Sequence, residues 1–172
     1  MDSRALLLLG LLRTHSQHGY QLNDYVERNL GRVTDMKKPT AYAILDRLAR
    51  EGYVSVEVER MGNRPQRKVY AITPSGEALF LTLLRENLAT SAPLYDSGDI
   101  GTMFAETLPA SEVRELLRTR HAQLRDRLAE FERAPAHAFG LGVNLAIEHS
   151  IRLMRAEDAW LTEVVERLAR ET

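Results

Sequence analysis

Apolar side chains cover a wide face of residues 3–14, which predicts a first helix. A polar segment at 15–18 breaks it. After Gly19, the residues Leu22, Val26 and Leu30 return at helical spacing, and Gly31 fits a helix stop. A third helix is predicted from Lys38 or Pro39, since proline suits a first turn, where its missing N–H costs nothing. Ala41, Leu45 and Leu48 mark its buried stripe, with Ile44 beside them, and Gly52 ends it. The period then changes from 3.6 to 2: Val54, Val56 and Val58 alternate with Ser55, Glu57 and Glu59, as in a strand with one buried face. Gly62-Asn63 supplies turn chemistry and residues 69–72 a return strand, giving a β-hairpin with a long tip at 61–66. Thr73-Pro74 reads as the N-cap and first residue of a fourth helix that runs to about Ala89.

Residues 90–101 hold Ser91, Pro93, Ser97, Gly98 and Gly101 and are read as a boundary. The expected domains are therefore 1–90 and 100–172. A short apolar piece with Ile100, Met103, Phe104 and Leu108 precedes a long helix starting near 109–111, striped by Val113, Leu117, Leu124, Leu128 and Phe131. Residues 134–142 turn the chain. In the last and longest helix Ile147, Met154, Leu161 and Leu168 recur every seven residues, with Ile151 and Val165 between them. Leu153 and Trp160 widen this face and Asp158 interrupts it. The pattern is that of a coiled-coil seam with an extra shoulder, so those six residues are expected at a dimer interface.

Composition narrows the classes. With 172 residues, 44% hydrophobic and 27% charged, the chain is ordinary folded protein. The absence of cysteine excludes disulfides, zinc–thiolate clusters and thiol redox sensing. The apolar run at 5–12 is too short to span a bilayer and lacks a cleavage pattern, so it is read as a buried helix of a cytoplasmic protein with no membrane partner. A net charge of −1 argues against purely electrostatic binding of nucleic acid. The average hides an asymmetry, however: residues 1–90 carry 13 Lys and Arg against 10 Asp and Glu, and residues 91–172 carry 10 against 14. The five histidines have no metal-site spacing, and no metal or other cofactor is expected. There is no Gly-rich phosphate loop, nucleophile elbow or cysteine nucleophile, so no enzyme activity is expected either.

Helix, helix, helix, hairpin, helix is the order of a winged helix-turn-helix, whose third helix enters the DNA major groove while the hairpin reaches the backbone or minor groove. The expected fold class is mainly α: three helices plus a β-hairpin wing, followed by a helical dimerisation domain. With the apolar stripe inward, Thr40, Ala43, Asp46, Arg47 and Arg50 lie mostly outward. Lys37 and Lys38 flank a helix N-terminus, whose partial positive charge favours phosphate. Arg47 could reach a base edge or a phosphate; the alternative is a solvated charged face. At the hairpin tip, Arg60, Arg64, Arg67 and Lys68 enclose no acidic residue, and Gln66 adds polar donors. Such a loop can track phosphates, although an ordinary basic turn would look the same. Phe104, Met154 and Trp160 could line a permissive effector pocket, with Arg152 and Arg155 beside it for an anion, or belong to the dimer core.

Three segments resemble one family. His18-Gly19-Tyr20-Gln21-Leu22 is similar to the His-Gly-Tyr-Glu-Leu signature of PadR-family regulators. Thr40-Ala41-Tyr42, followed by residues 45–54, resembles that family's recognition helix and its terminal turn. Residues 64–76 resemble its wing and the Leu-Thr-x-x-Gly entry to its fourth helix. Further on, residues 148–153 with Trp160-Leu161 are similar to the last helix of the virulence-activator-like C-terminal domain of one PadR subfamily. The chain departs from the family pattern at Pro39, Ala41 and Ala43, where Gly, Leu and Pro are usual.

The resemblance implies a homodimer that binds double-stranded DNA at a palindromic operator, more often as a repressor, with a small-molecule effector as a further partner. The expected DNA-binding residues are Tyr20, Lys37, Lys38, Thr40, Tyr42, Ala43, Arg47, Arg64, Gln66, Arg67 and Lys68. The rival expectation is a winged-helix module for protein–protein contact that does not bind DNA.

Overall fold

A computed structural model describes residues 2–15, 36–59, 67–91, 93, 96–133 and 140–170. They form α1 (Ser3–His15), α2 (Lys38–Arg50), β1 (Val54–Glu59), β2 (Arg67–Ile72), α3 (Pro74–Ala89), α4 (Ser97–Met103), a short 3₁₀ turn (Ala105–Thr107), α5 (Ala110–Arg133) and α6 (Leu141–Arg170). The fold is mainly helical, with one antiparallel two-stranded sheet. The second predicted helix, the tip at 61–66 and the turn at 134–139 lie outside the described residues. The chain divides into two compact units, Met1–Pro93 and Leu94–Thr172.

The first unit closes around α1. Asp2 caps this helix by accepting the Ala5 backbone N–H at 3.0 Å. Ala5, Leu8, Leu9 and Leu12 of α1 are buried with Met36, with Ala41, Leu45 and Leu48 of α2, and with Val54 and Tyr70 of the hairpin. Leu79, Phe80 and Leu83 of α3 pack onto this core. Gly10 lets the Phe80 ring approach α1, since a Cβ there would stand 3.2 Å from it.

The turn after α2 is a Schellman motif. Gly52 takes φ +81°, its N–H donates to Ala49 O at 3.1 Å, and the Tyr53 N–H donates to Leu48 O at 2.9 Å. The root of the hairpin is then stitched to the start of α3. The Thr73 hydroxyl donates to Gly52 O at 2.8 Å and accepts the Gly76 N–H at 3.1 Å, while the Thr73 N–H donates to Tyr53 O at 3.1 Å. Gly76 is held so close that a Cβ would lie 2.1 Å from Tyr53 O.

Strand register pairs Val54 with Ile72, Val56 with Tyr70 and Val58 with Lys68. The expectation of one buried strand face holds only at the root. Val54 is buried, but Val56 is 37% and Val58 59% exposed. Toward its outer end the hairpin is covered less, and Val58, opposite Lys68, is the more exposed of the two.

The second unit is an antiparallel pair of helices. Leu124 of α5 packs with Met154 and Leu161 of α6, flanked by Leu117, Leu128, Phe131 and Ile151. Of the six residues expected at the dimer seam, Leu161 is 0% and Met154 9% exposed within the single chain, so these two close the protomer's own core. Ile151 packs against the same core, and Ile147, Val165 and Leu168 are half-buried. Asp158, which interrupts the stripe, accepts from His121 Nε2 at 2.7 Å and Arg125 Nε at 2.9 Å across the helix pair. Arg120 joins Glu157 at 2.5 Å and Asp96 at 3.4 Å, passes over Gly98, and stacks 5.7 Å from the Trp160 ring centroid.

Candidate nucleic-acid interface

Helix α2 presents its buried stripe to α1 and leaves Pro39, Ala43, Asp46 and Arg50, spaced at helical intervals, exposed. No acidic residue sits in its first turn, and its N-cap, Lys37, makes no side-chain capping bond. Lys37 and Lys38 are both exposed beside that terminus. The local field therefore favours an anion, through the lysine charges and the helix dipole acting together. Thr40 and Tyr42 are half-buried on the flanks, Tyr42 packing against the core.

Two of the expected cationic contacts carry partners that the sequence did not announce. Arg47 does not reach freely outward: its guanidinium pairs with Asp2 at the start of α1, and its Nε is buried. Partial burial pushes the Asp2 carboxyl up. The Arg47 bond and the Ala5 backbone N–H outweigh that, leaving it below the ordinary aspartate value. Lys68, on β2, donates to Asp46 Oδ1 at 3.1 Å, and the Tyr70 hydroxyl donates to the same oxygen at 3.3 Å. The Lys68 bond holds the Asp46 carboxyl low and the Lys68 ammonium high. Burial, then the Asp46 charge, raises Tyr70, so its proton stays in place to donate. Helical spacing marks Asp46 only as an outward residue of the helix. The strand period does carry a signal of its partners, because it puts residues 68 and 70 on one face.

Arg67 opens β2, with its side chain outside the described residues, as are Tyr20, Arg64 and Gln66. The structure thus brings Lys37, Lys38, Thr40, Ala43 and Lys68 onto α2 and the adjoining strand of one unit. The three expected effector-pocket residues have different surroundings. Met154 lies in the helix-pair core, Trp160 lies under Arg120, and Phe104 is 62% exposed. Among the described residues no group of three His, Asp or Glu could hold a metal, and no helix is long and apolar enough to cross a membrane.

A core-packed helix pinned to a two-stranded wing, followed by a helical C-terminal region, defines a winged helix-turn-helix protein. Residues 8–81 match the Transcriptional regulator PadR-like family, and residues 102–169 match Virulence activator alpha C-term. The chain thus carries a PadR-like domain followed by a C-terminal region of the virulence-activator type. Among curated proteins it is similar to the negative transcriptional regulator PadR of Bacillus subtilis, 27% identical over 135 residues, covering 76% of this chain and 74% of that one. Among solved structures it resembles Bacillus subtilis PadR in complex with operator DNA, with TM-score 0.74, 20% identity, and coverage of 98% of this chain and 99% of that one. It also resembles the same regulator in complex with p-coumaric acid, with TM-score 0.69, 17% identity and 98% coverage of each chain.

Proposed function

We propose that this regulator binds a palindromic operator as a homodimer and represses transcription from it. The carrying observation is the surface of the first unit, where the exposed face and lysine-flanked N-terminus of α2 stand beside a wing strand joined to it through Asp46. The similarity to a DNA-bound PadR supports this use of the surface, and the similarity to a negative regulator supports the sign. In this reading Lys37, Lys38 and the wing residues Arg64, Arg67 and Lys68 hold phosphates, while Tyr20, Thr40, Tyr42, Ala43 and Gln66 approach bases or sugars. Arg47 contributes only when Asp2 releases it. Half-sites then lie about one helical turn apart, ~34–36 Å.

Dimerisation is assigned to the second unit, on surfaces the protomer leaves open. Ile100, Met103, Phe104 and Leu108 around α4, and Leu141, Val143 and Leu145 at the start of α6, are all exposed. A small-molecule effector is proposed from the p-coumaric acid complex of the similar regulator. It would act by preferring one arrangement of the two reading heads. A cytoplasmic location follows from the proposed work on DNA.

The test is a titration against labelled DNA from upstream of the chain's own gene, at several salt concentrations and with unrelated competitor. Binding that survives competitor and steepens at low salt is expected. Replacing Arg64, Arg67 and Lys68 by Ala should weaken it and flatten the salt slope by about one for each phosphate no longer held. Unaltered affinity and slope in that triple variant would overturn the DNA reading in favour of a protein-contact module.

A further inference from the structure

We propose that Asp46 is a positioning residue that clamps the wing to the recognition helix, so that the two elements meet DNA as one rigid body. The inference rests on the DNA-binding reading above and names a part of that surface that acts through Lys68 and Tyr70.

The hairpin is anchored in the core through Val54, Tyr70 and Ile72. Beyond Tyr70, Val58 is 59% exposed and pairs with Lys68, so apolar packing holds only the lower part of the hairpin. At this level Asp46 Oδ1 takes the Lys68 ammonium at 3.1 Å and the Tyr70 hydroxyl at 3.3 Å. Residues two apart on a strand share a face and stand roughly 6–7 Å from each other. One oxygen bonded to both therefore limits the distance of the strand from α2 and also its rotation, which a single bond would leave free. Asp46 lies on the exposed face of α2, one turn beyond Ala43. The geometry also carries an electrostatic cost, because a carboxylate on a surface that meets phosphates repels them. A bystander acid and a clamp consequently predict opposite signs. Removing a bystander tightens binding to every duplex, whereas removing a clamp loosens the wing and weakens binding to the sequence being read.

The chain has no cysteine, so a label pair can be introduced without background. Nitroxides on Ala43→Cys and Glu57→Cys, both exposed, report the helix-to-wing distance by pulsed electron spin resonance without DNA. The expected result is a narrow distribution in the otherwise unaltered chain, a broad one with Asp46→Ala, and an intermediate one with Asp46→Asn, which keeps an acceptor for Tyr70. Equal widths in all three would overturn the clamp. In the second arm the unlabelled chain and Asp46→Ala are titrated with a duplex that the unaltered chain selects from a random pool, and with random-sequence duplex. A loss of about tenfold on the selected duplex alone is expected. Tighter binding of Asp46→Ala to both duplexes would identify a bystander charge and overturn the proposal. If the unaltered chain selects no duplex, the DNA reading itself fails, and the label distances still decide whether Asp46 holds the wing.

Discussion

Among the described residues, four of the large side chains sealed from solvent, Leu8, Leu9, Leu45 and Leu48, belong to the first unit, and one, Leu161, to the second. Exposure runs the other way. Among the described residues, the exposed large apolar side chains of the first unit are Val56, Val58, Leu81 and Leu88, while the second exposes Ile100, Met103, Phe104, Leu108, Leu116, Leu141, Val143, Leu145, Leu153 and Trp160. The difference is architectural. Several elements around α1 enclose a volume, whereas two helices side by side bury only the stripe between them. The first unit carries its own hydrophobic core. The second relies on a thin stripe reinforced by ion pairs such as Arg120–Glu157 and Arg125–Asp158, and leaves more apolar surface open.

The sharpest way to break this comparison is to cut each core separately. Leu161→Ala should cost about 2–5 kcal/mol, and Leu45→Ala a similar amount. Trp160 is the chain's single tryptophan and lies in the second unit, so its fluorescence reports on that unit. In urea, Leu161→Ala should move the fluorescence midpoint, and Leu45→Ala should move the helical signal while leaving fluorescence in place. Joint movement in both variants would mean that the units unfold as one.

A smaller effect tests the open surface. Ile100→Ser with Phe104→Ser removes exposed side chains, so protomer stability should change by no more than about 0.5 kcal/mol. Association should still weaken about tenfold or more, because burying either side chain is worth roughly 1.5–3 kcal/mol. Sedimentation equilibrium measures it, and an unshifted dissociation constant would place the dimer contact elsewhere.

The smallest effect is in acid. Arg125, then His121, holds the Asp158 carboxyl below its ordinary value of 3.8, and Asp2 and Asp46 are also lowered. For a depressed carboxyl the stabilisation is complete above the unfolded value and is lost as pH falls through the folded one. Thermal midpoints should therefore decline as pH drops below 3.8, and Asp158→Asn should shallow that decline. A slope identical to the unaltered chain's would show that the pair adds nothing.

The order of elements and their ends could be read from the residues because local chemistry decides them. Pro39, Gly52 and Thr73-Pro74 act on their own backbone, and the structure places α2 and α3 accordingly. The stripe Ala41, Leu45 and Leu48 was legible for the same reason. What periodicity could not reveal was which partner a stripe meets. The seven-residue repeat of α6 fits a neighbouring subunit or a neighbouring helix equally well, and Leu124 of the same chain takes Leu161. Nor could it show that Val56 and Val58 are less covered than Val54, since alternation marks a face without saying how far the cover extends. Arg47 and Lys68 were legible as cations, but Asp2 and Asp46 pair with them from 45 and 22 residues away.

The junction at Thr73 has a mechanical consequence. The end of α2, the root of the wing and the first turn of α3 share one side chain and one glycine with no room for a Cβ. Such a joint works as a pinned bracket. A torque delivered along α3, the helix that leads on toward Pro93, is not dissipated in slack backbone at this joint. It should reach the end of α2 and the root of the wing together, with the Thr73 hydroxyl as the pin.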